Sequence, residues 1–237
     1  MFEEYRTELD AHHDRRERII KVSRDVTATS KKIIFALQRV RQLQKPLPSS
    51  IESDIASKFD NVNKLLSSIR DDLQGINRYR YYRQISPGLQ EWMESVAFRH
   101  YLQTQSLITF DEAMALLPEG IYILEDDYLL GVFDMTGELM RFAITIIATA
   151  GQVPVAEGSK STILADMQRL RTMLEGLEIH SGLPLNRDWE MKMKTMRISV
   201  EKVENSVYEV IVRGKERPKG WVPDLKASVT DREVEAF

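Results

Sequence analysis

Two pairs of acids occupy positions where a carboxylate is costly to leave without a partner. Asp134 and Glu138 lie four residues apart in DDYLLGVFDMTGELMRFAITII. Wound at about 100° per residue, this stretch is apolar on nearly every side. Leu129, Val132, Phe133, Leu139, Phe142 and Ile146 are among the residues responsible. Only Asp127, Asp134, Glu138, Arg141 and Thr145, with Gly131 in line, form a narrow polar strip. Carboxylates on a helix buried on most faces must be ion-paired, hold a metal, or line a polar cavity. Arg141 offers the first solution and a divalent cation the second. A second acid pair, Glu91 and Glu94, sits in GLQEWMESVAFRHYL, opposite Leu89, Trp92, Met93 and Val96. For an i,i+3 acid pair the ordinary reading is a solvated face; against it, Phe98 falls on the acid side between the two glutamates. Four carboxylates form a hard-oxygen donor set suited to Mg²⁺, with Mn²⁺ as the alternative. Neither stretch carries the Glu-x-x-His pairing of di-iron bundles, which makes oxidase chemistry the weaker reading.

Just upstream, NRYRYYRQ interleaves Arg78, Arg80 and Arg83 with Tyr79, Tyr81 and Tyr82. Guanidinium forks pair with phosphates, and phenol rings stack on unpaired bases. Arg78, Arg80, Tyr81 and Arg83 are therefore the candidate nucleic-acid contacts. Beside the acids they suggest a backbone held by cations while a carboxylate-bound metal activates water. The bland alternative is tyrosines in a core with solvated arginine neighbours. Other chemistries find no support. The 237 residues include no Cys, which removes thiol nucleophiles, disulfides and Cys-ligated metals. His12 falls on an apolar seam, as a packed histidine would. No G-x-S-x-G, Walker loop or G-x-G-x-x-G occurs. With 33 Lys and Arg against 36 Asp and Glu, the net charge is −3, so an anion site must be local.

The elements that must position these groups are helical. Tyr5, His12, Ile19, Val26, Ile33 and Val40 recur every seven residues, predicting one long helix that ends before Pro46 and Pro48. Ser49 and Glu52 have capping-box spacing and open a second helix with the stripe Ile51, Ile55, Phe59, Val62, Leu66, Ile69 and Leu73, closed by Gly75. A third spans roughly 77–107, with a possible break at Ser86-Pro87-Gly88, and a short acidic piece follows near Asp111–Leu117. The acid-bearing helix runs from about Asp126 to Ala148, and 151–158 reads as a loop. A stripe from Ile163 to Leu177 ends near Gly182 and Pro184. The last helix carries Trp189, Met193, Met196, Val200, Val203, Val207 and Val210 at alternating four- and three-residue spacing. The expected fold is all-α, an elongated antiparallel bundle of about six to seven helices. Residues 1–213 would form a single domain and 214–237 a charged, proline-containing tail. The acidic N-terminus has no signal-peptide character, and no apolar run reaches the length of a membrane span.

The strings ELDAHHDRRERIIKVSRDVT, GLQEWMESVAFRHYLQTQSLIT, DDYLLGVFDMTGELMRFAI and KVENSVYEVIVRG resemble the translin family, in order, from about Glu8 to Gly214. Plain translin lacks acids corresponding to Glu91, Glu94 and Asp134, so the resemblance is to the translin-associated-factor-X branch. It implies an all-helical subunit that assembles with a translin-like partner into a hollow hetero-octamer. It also implies Mg²⁺-dependent endoribonuclease activity on single-stranded RNA, with single-stranded DNA a further ligand. Family roles in passenger-strand removal and tRNA-fragment processing come with it at class level. The family's catalytic and metal-binding acids fall on Glu91, Glu94 and Asp134, with Glu138 as the fourth. The basic N-terminal segment carrying the nuclear address of animal relatives has no counterpart here. Their long insert before DYLLGV is replaced by Pro118 to Asp126. The expected location is thus cytoplasmic, with nuclear import in question. Two other readings remain open on residues alone: a nucleic-acid-binding scaffold without chemistry, and an assembly protein that needs only the seams of its first and last helices.

Overall fold

A computed structural model describes residues 2–155, 161–179 and 186–213. The predicted C-terminal tail, and Gly182 and Pro184, lie outside these residues, as does the end of the predicted 151–158 loop. Among the described residues the regular structure is helical: α1 (Phe2–Leu37), α2 (Ser49–Ser68), α3 (Asn77–Arg80), α4 (Tyr82–Thr104), α5 (Phe110–Ala115), α6 (Glu125–Ala150), α7 (Ile163–Glu175) and α8 (Asn186–Arg213). A 3-10 turn covers Asp71–Leu73, and one isolated antiparallel bridge joins Val155 to Thr162. The fold is all-α as the periodicities predict, with the short α3 and α5 added to the long helices. The chain divides inside α6 into two compact units, Met1–Met135 and Thr136–Phe237.

In the first unit, α1 and α2 run antiparallel. Arg15 and Arg18, early in α1, hold Asp72 just past the end of α2, at 3.2 and 2.7 Å. The Arg18 hydrogen bonds are the main reason the Asp72 carboxyl is held below its ordinary pKa. Helix α4 also opposes α2: Arg99 bonds Glu52 at 2.7 Å and lies 5.4 Å from the Phe59 ring centre. Helices α1 and α4 consequently run side by side in the same direction. His12 meets Tyr81, Ser23 meets Gly88, and Lys31 meets Glu91. The predicted seam of α1 is buried only from its middle onward. Ile19, Val26 and Ile33 are fully enclosed, whereas Phe2, Tyr5 and Leu9 are exposed.

Two local expectations are corrected. Ser49 and Glu52 form no capping box: the helix starts at Ser49, Pro48 is the cap residue without a side-chain bond, and Glu52 is drawn to Arg99. The box is found instead at α5, where Thr109 and Glu112 cap each other. Nor does the third helix break at Ser86-Pro87-Gly88. It breaks at Tyr81, which separates α3 from α4, and Pro87 lies inside α4. Proline removes a helix hydrogen bond, and Ser23 of α1 supplies polar partners beside the disturbed turn. Its hydroxyl accepts from the Gly88 N–H at 3.1 Å and donates to the Ile85 carbonyl at 3.3 Å. A Cβ on Gly88 would lie 2.8 Å from the Ser23 carbonyl oxygen, so only glycine permits this approach. The sequence signal of a helix break is the signal of a helix–helix contact.

In the second unit α7 and α8 pair antiparallel, with Gln168 bonded to Glu204 at 2.7 Å and Arg197 to Glu175 at 2.6 Å. The predicted stripe of α8 is buried from Trp189 through Val207. Thr162 caps α7 by accepting from the Ala165 N–H.

Candidate functional site: the acid pairs of α4 and α6

The start of α6 is fastened to α4 by one buried carboxylate. Asp127, 2 % exposed, accepts hydrogen bonds from the Tyr82 hydroxyl, from Ser86 Oγ at 2.7 Å and from Gln90 Nε2 at 2.7 Å. The Tyr82 oxygen in turn accepts from the Leu124 N–H at 2.8 Å. A buried charge is tolerable when its lone pairs are met in this way. Burial, reinforced by the Asp127 charge, raises the Tyr82 phenol well above its ordinary pKa, so the phenol remains a donor.

One turn further along α6 the helices nearly touch. A Cβ on Gly131 would lie 2.7 Å from Cβ and Cγ of Met93 and 3.1 Å from the Gln90 carbonyl oxygen. These approaches fix a parallel register: Asp127 sits against Ser86 and Gln90, and Gly131 against Gln90 and Met93. The next acids along the two helices are Glu94, four residues after Gln90, and Asp134, seven residues after Asp127. Glu94 is 9 % exposed, and Phe98 beyond it is fully buried, as its place on the acid side predicts.

The other two acids are placed differently. Glu91 lies one residue off the stripe, on the side of α1, with Lys31 Nζ 3.7 Å from its Oε2. Glu138 is 6 % exposed and ion-paired to Arg141 on its own helix, one turn on from Asp134. Among the described residues, no group of three or more His, Asp or Glu side chains is gathered as a metal-holding cluster. The donor chemistry nonetheless fits a hard divalent cation. The acids are all-oxygen ligands, and Glu94 is a carboxylate held away from bulk water.

The four candidate nucleic-acid residues separate into two groups. Arg80 and Arg83 are exposed, as is Tyr79, which is 73 % accessible. Arg78 is partly covered, its guanidinium 3.8 Å from the centre of the Tyr122 ring. Tyr81 is 5 % exposed and hydrogen-bonded to His12, so its ring is not open to a base and Tyr79 offers the free face. Arg80 Nη1 lies 3.0 Å from His12 Nε2. Because a guanidinium can only donate, it fixes Nε2 as the acceptor and Nδ1–H as the donor toward Tyr81. The seam histidine, itself partly exposed, thus ties α1 to the α3–α4 junction. Sequence reasoning missed the partners of Asp127 on α4. The clue available was Gly131 in line with two acids, which marks close backbone approach.

Residues 14–214 match the translin family. The chain belongs to that family. Translin-associated protein X of Pongo abelii is 34 % identical over 262 aligned residues, covering 98 % of this chain and 86 % of that protein. Translin of Mus musculus is 27 % identical over 226, covering 90 % and 92 %. The crystal structure described as apo-NeC3PO superposes with a TM-score of 0.63 at 18 % identity, over 86 % of this chain and 96 % of that one, which shows a shared translin-like helical fold. No helix among the described residues is long and apolar enough to cross a membrane.

Proposed function

We propose that this translin-family chain is a Mg²⁺-dependent endoribonuclease subunit, cleaving single-stranded RNA within a hetero-oligomer with a translin-like partner. The observation that supports the proposal is the buried Glu94 carboxylate on α4, one turn beyond the Gln90 that bonds Asp127 of α6, with Asp134 seven residues further along α6. Glu91, Glu94 and Asp134 would hold the ion, and Lys31, which now pairs with Glu91, would release that carboxylate. Bound there, Mg²⁺ (or Mn²⁺) supplies an activated water and stabilises charge on the phosphodiester. The chain itself contributes orientation: the Asp127 hydrogen bonds fix the rotation of α6, and the Gly131 approach fixes its distance from α4. Arg80, Arg83 and the open ring of Tyr79 supply cationic and stacking groups for the RNA backbone and bases.

Asp134→Asn, assayed on single-stranded RNA in Mg²⁺ with the partner present, should abolish cleavage while the circular dichroism spectrum is kept. Full activity in this variant removes Asp134 from the mechanism. A second reading, a binding subunit without chemistry, draws on the ion pairs that occupy Glu91 and Glu138. It requires wild-type chain that binds RNA equally with and without EDTA and never cleaves it.

A further inference from the structure

We propose that the groove between the end of α1 and the start of α2 is a single-stranded RNA track leading to the acid site. The proposal deepens the nuclease reading, on which its destination depends. The groove encloses about 540 Å³ and is lined by Lys31, Lys32, Phe35, Arg39, Asp54 and Lys58, with Ala36 at its base. Four of these residues are cations. The one carboxylate, Asp54, is already ion-paired to Lys58, so the charge of Lys31, Lys32 and Arg39 is not balanced within the groove. Among the described residues, no ion pair engages Lys32 or Arg39, and both are exposed or partly so.

Between them stands Phe35, 76 % exposed, while its neighbours Ile34 and Ala36 are buried. A large ring held out among cations is the arrangement used to bind unpaired strands. The ring stacks on a base of any identity, and the ammonium and guanidinium groups follow the phosphates. From Lys31 to Leu37 the helix rises about 9 Å, and Arg39 lies just past its end, so more than one nucleotide is in reach. The track also has a direction. Lys31 is at once a wall of the groove and the cation 3.7 Å from Glu91. A phosphate that engaged Lys31 would compete with Glu91 for it, which brings the backbone to the acids and frees a carboxylate together.

The test measures binding of a labelled oligouridylate of about 16 nucleotides to the full chain by fluorescence anisotropy, in EDTA so that cleavage does not intervene. Lys32→Glu with Arg39→Glu should weaken binding at least tenfold. It should also flatten the salt dependence by about 1.4 in log–log slope, about 0.7 for each phosphate no longer neutralised. Phe35→Ala should weaken binding about five- to hundredfold, and Phe35→Tyr should restore it. These side chains reach solvent, and an unchanged melting temperature shows that the fold is kept. Wild-type affinity in both the charge and the alanine variants overturns the proposal. So does unchanged RNA affinity accompanied by a changed oligomeric state in sedimentation, which would make the groove a protein interface. Groove-dependent binding by a chain that never cleaves RNA would uphold the track and sink the nuclease reading. Groove-dependent binding together with loss of cleavage in Asp134→Asn at intact RNA affinity would uphold both.

Discussion

Replacing Gly131 by alanine should separate α4 from α6, and the magnitude follows from two opposing effects. Alanine in a helix interior is favoured over glycine by about 1 kcal/mol. Against this, the new methyl group lies 2.7 Å from Cβ and Cγ of Met93, atoms next to the backbone that have little freedom to move aside. Overpacking of this kind costs about 1–3 kcal/mol. Gly137, six residues along the same helix, has nothing within 4 Å of the position a Cβ would take. Gly137→Ala therefore carries the propensity gain without the clash and should raise the melting temperature by about 2–4 °C in a chain of this size. Subtracting one substitution from the other cancels propensity. The difference isolates the clash, about 1–3 kcal/mol, which places the Gly131→Ala melting temperature about 2–12 °C below that of Gly137→Ala. Differential scanning fluorimetry on the two purified variants provides the comparison, and cleavage of single-stranded RNA provides a second readout. Under the nuclease reading Gly131→Ala should also lose activity, because Asp134 sits one turn beyond the displaced pair. Equal melting temperatures for the two variants would refute the close-approach reasoning and the register drawn from it.

Asp127→Ala should cost about 2–4 kcal/mol, since the Tyr82, Ser86 and Gln90 donors lose their shared acceptor inside the protein. Urea unfolding should show this as a lower midpoint, with Asp127→Asn intermediate because its amide retains one acceptor oxygen. Asp126 gives a pH-dependent case of the opposite sign. Burial, then the neighbouring Asp127 and Glu125 charges, raises its carboxyl pKa above the ordinary 3.8. A carboxyl whose folded pKa is raised destabilises the fold once pH exceeds that value, and the penalty vanishes below the unfolded value. Asp126→Asn should accordingly raise the melting temperature at neutral pH, with the gain fading as pH falls toward about 4 and absent below it. A gain that persists at pH 3 would exclude a titration origin.

Much of the architecture was visible in the spacing of apolar residues, because a buried stripe has to repeat at helical period whatever it packs against. The α8 stripe is buried from Trp189 to Val207. The α6 residues Val132, Phe133, Leu139, Phe142 and Ile147 are buried as their all-round apolar pattern requires. What periodicity cannot convey is which helix faces which. Ser86-Pro87-Gly88 reads as a breaker in isolation and becomes a packing surface only with Ser23 placed against it. Tyr81 and Tyr79 are indistinguishable as neighbouring tyrosines until one is held by His12 and the other is left in solvent. The four acids could be named from helix geometry and family resemblance. The cations set beside two of them, Lys31 from α1 and Arg141 from the next turn, come from tertiary placement and rotamer choice.

These placements give the two halves of the polar strip on α6 different tasks. Asp127 is spent on hydrogen bonds to α4, and Gly131 on approach, so neither has capacity left for a ligand. Beyond Gly131 the strip continues with Asp134 and Glu138, and α4 continues past Gln90 with Glu94. On the proposed reading Glu94 and Asp134 share a cation, because two carboxylates brought together without one would repel. The hydrogen bonds that already occupy Asp127 are the physical reason to look for a cation at Glu94 and Asp134 rather than at Asp127, although Asp127 is the more deeply buried acid.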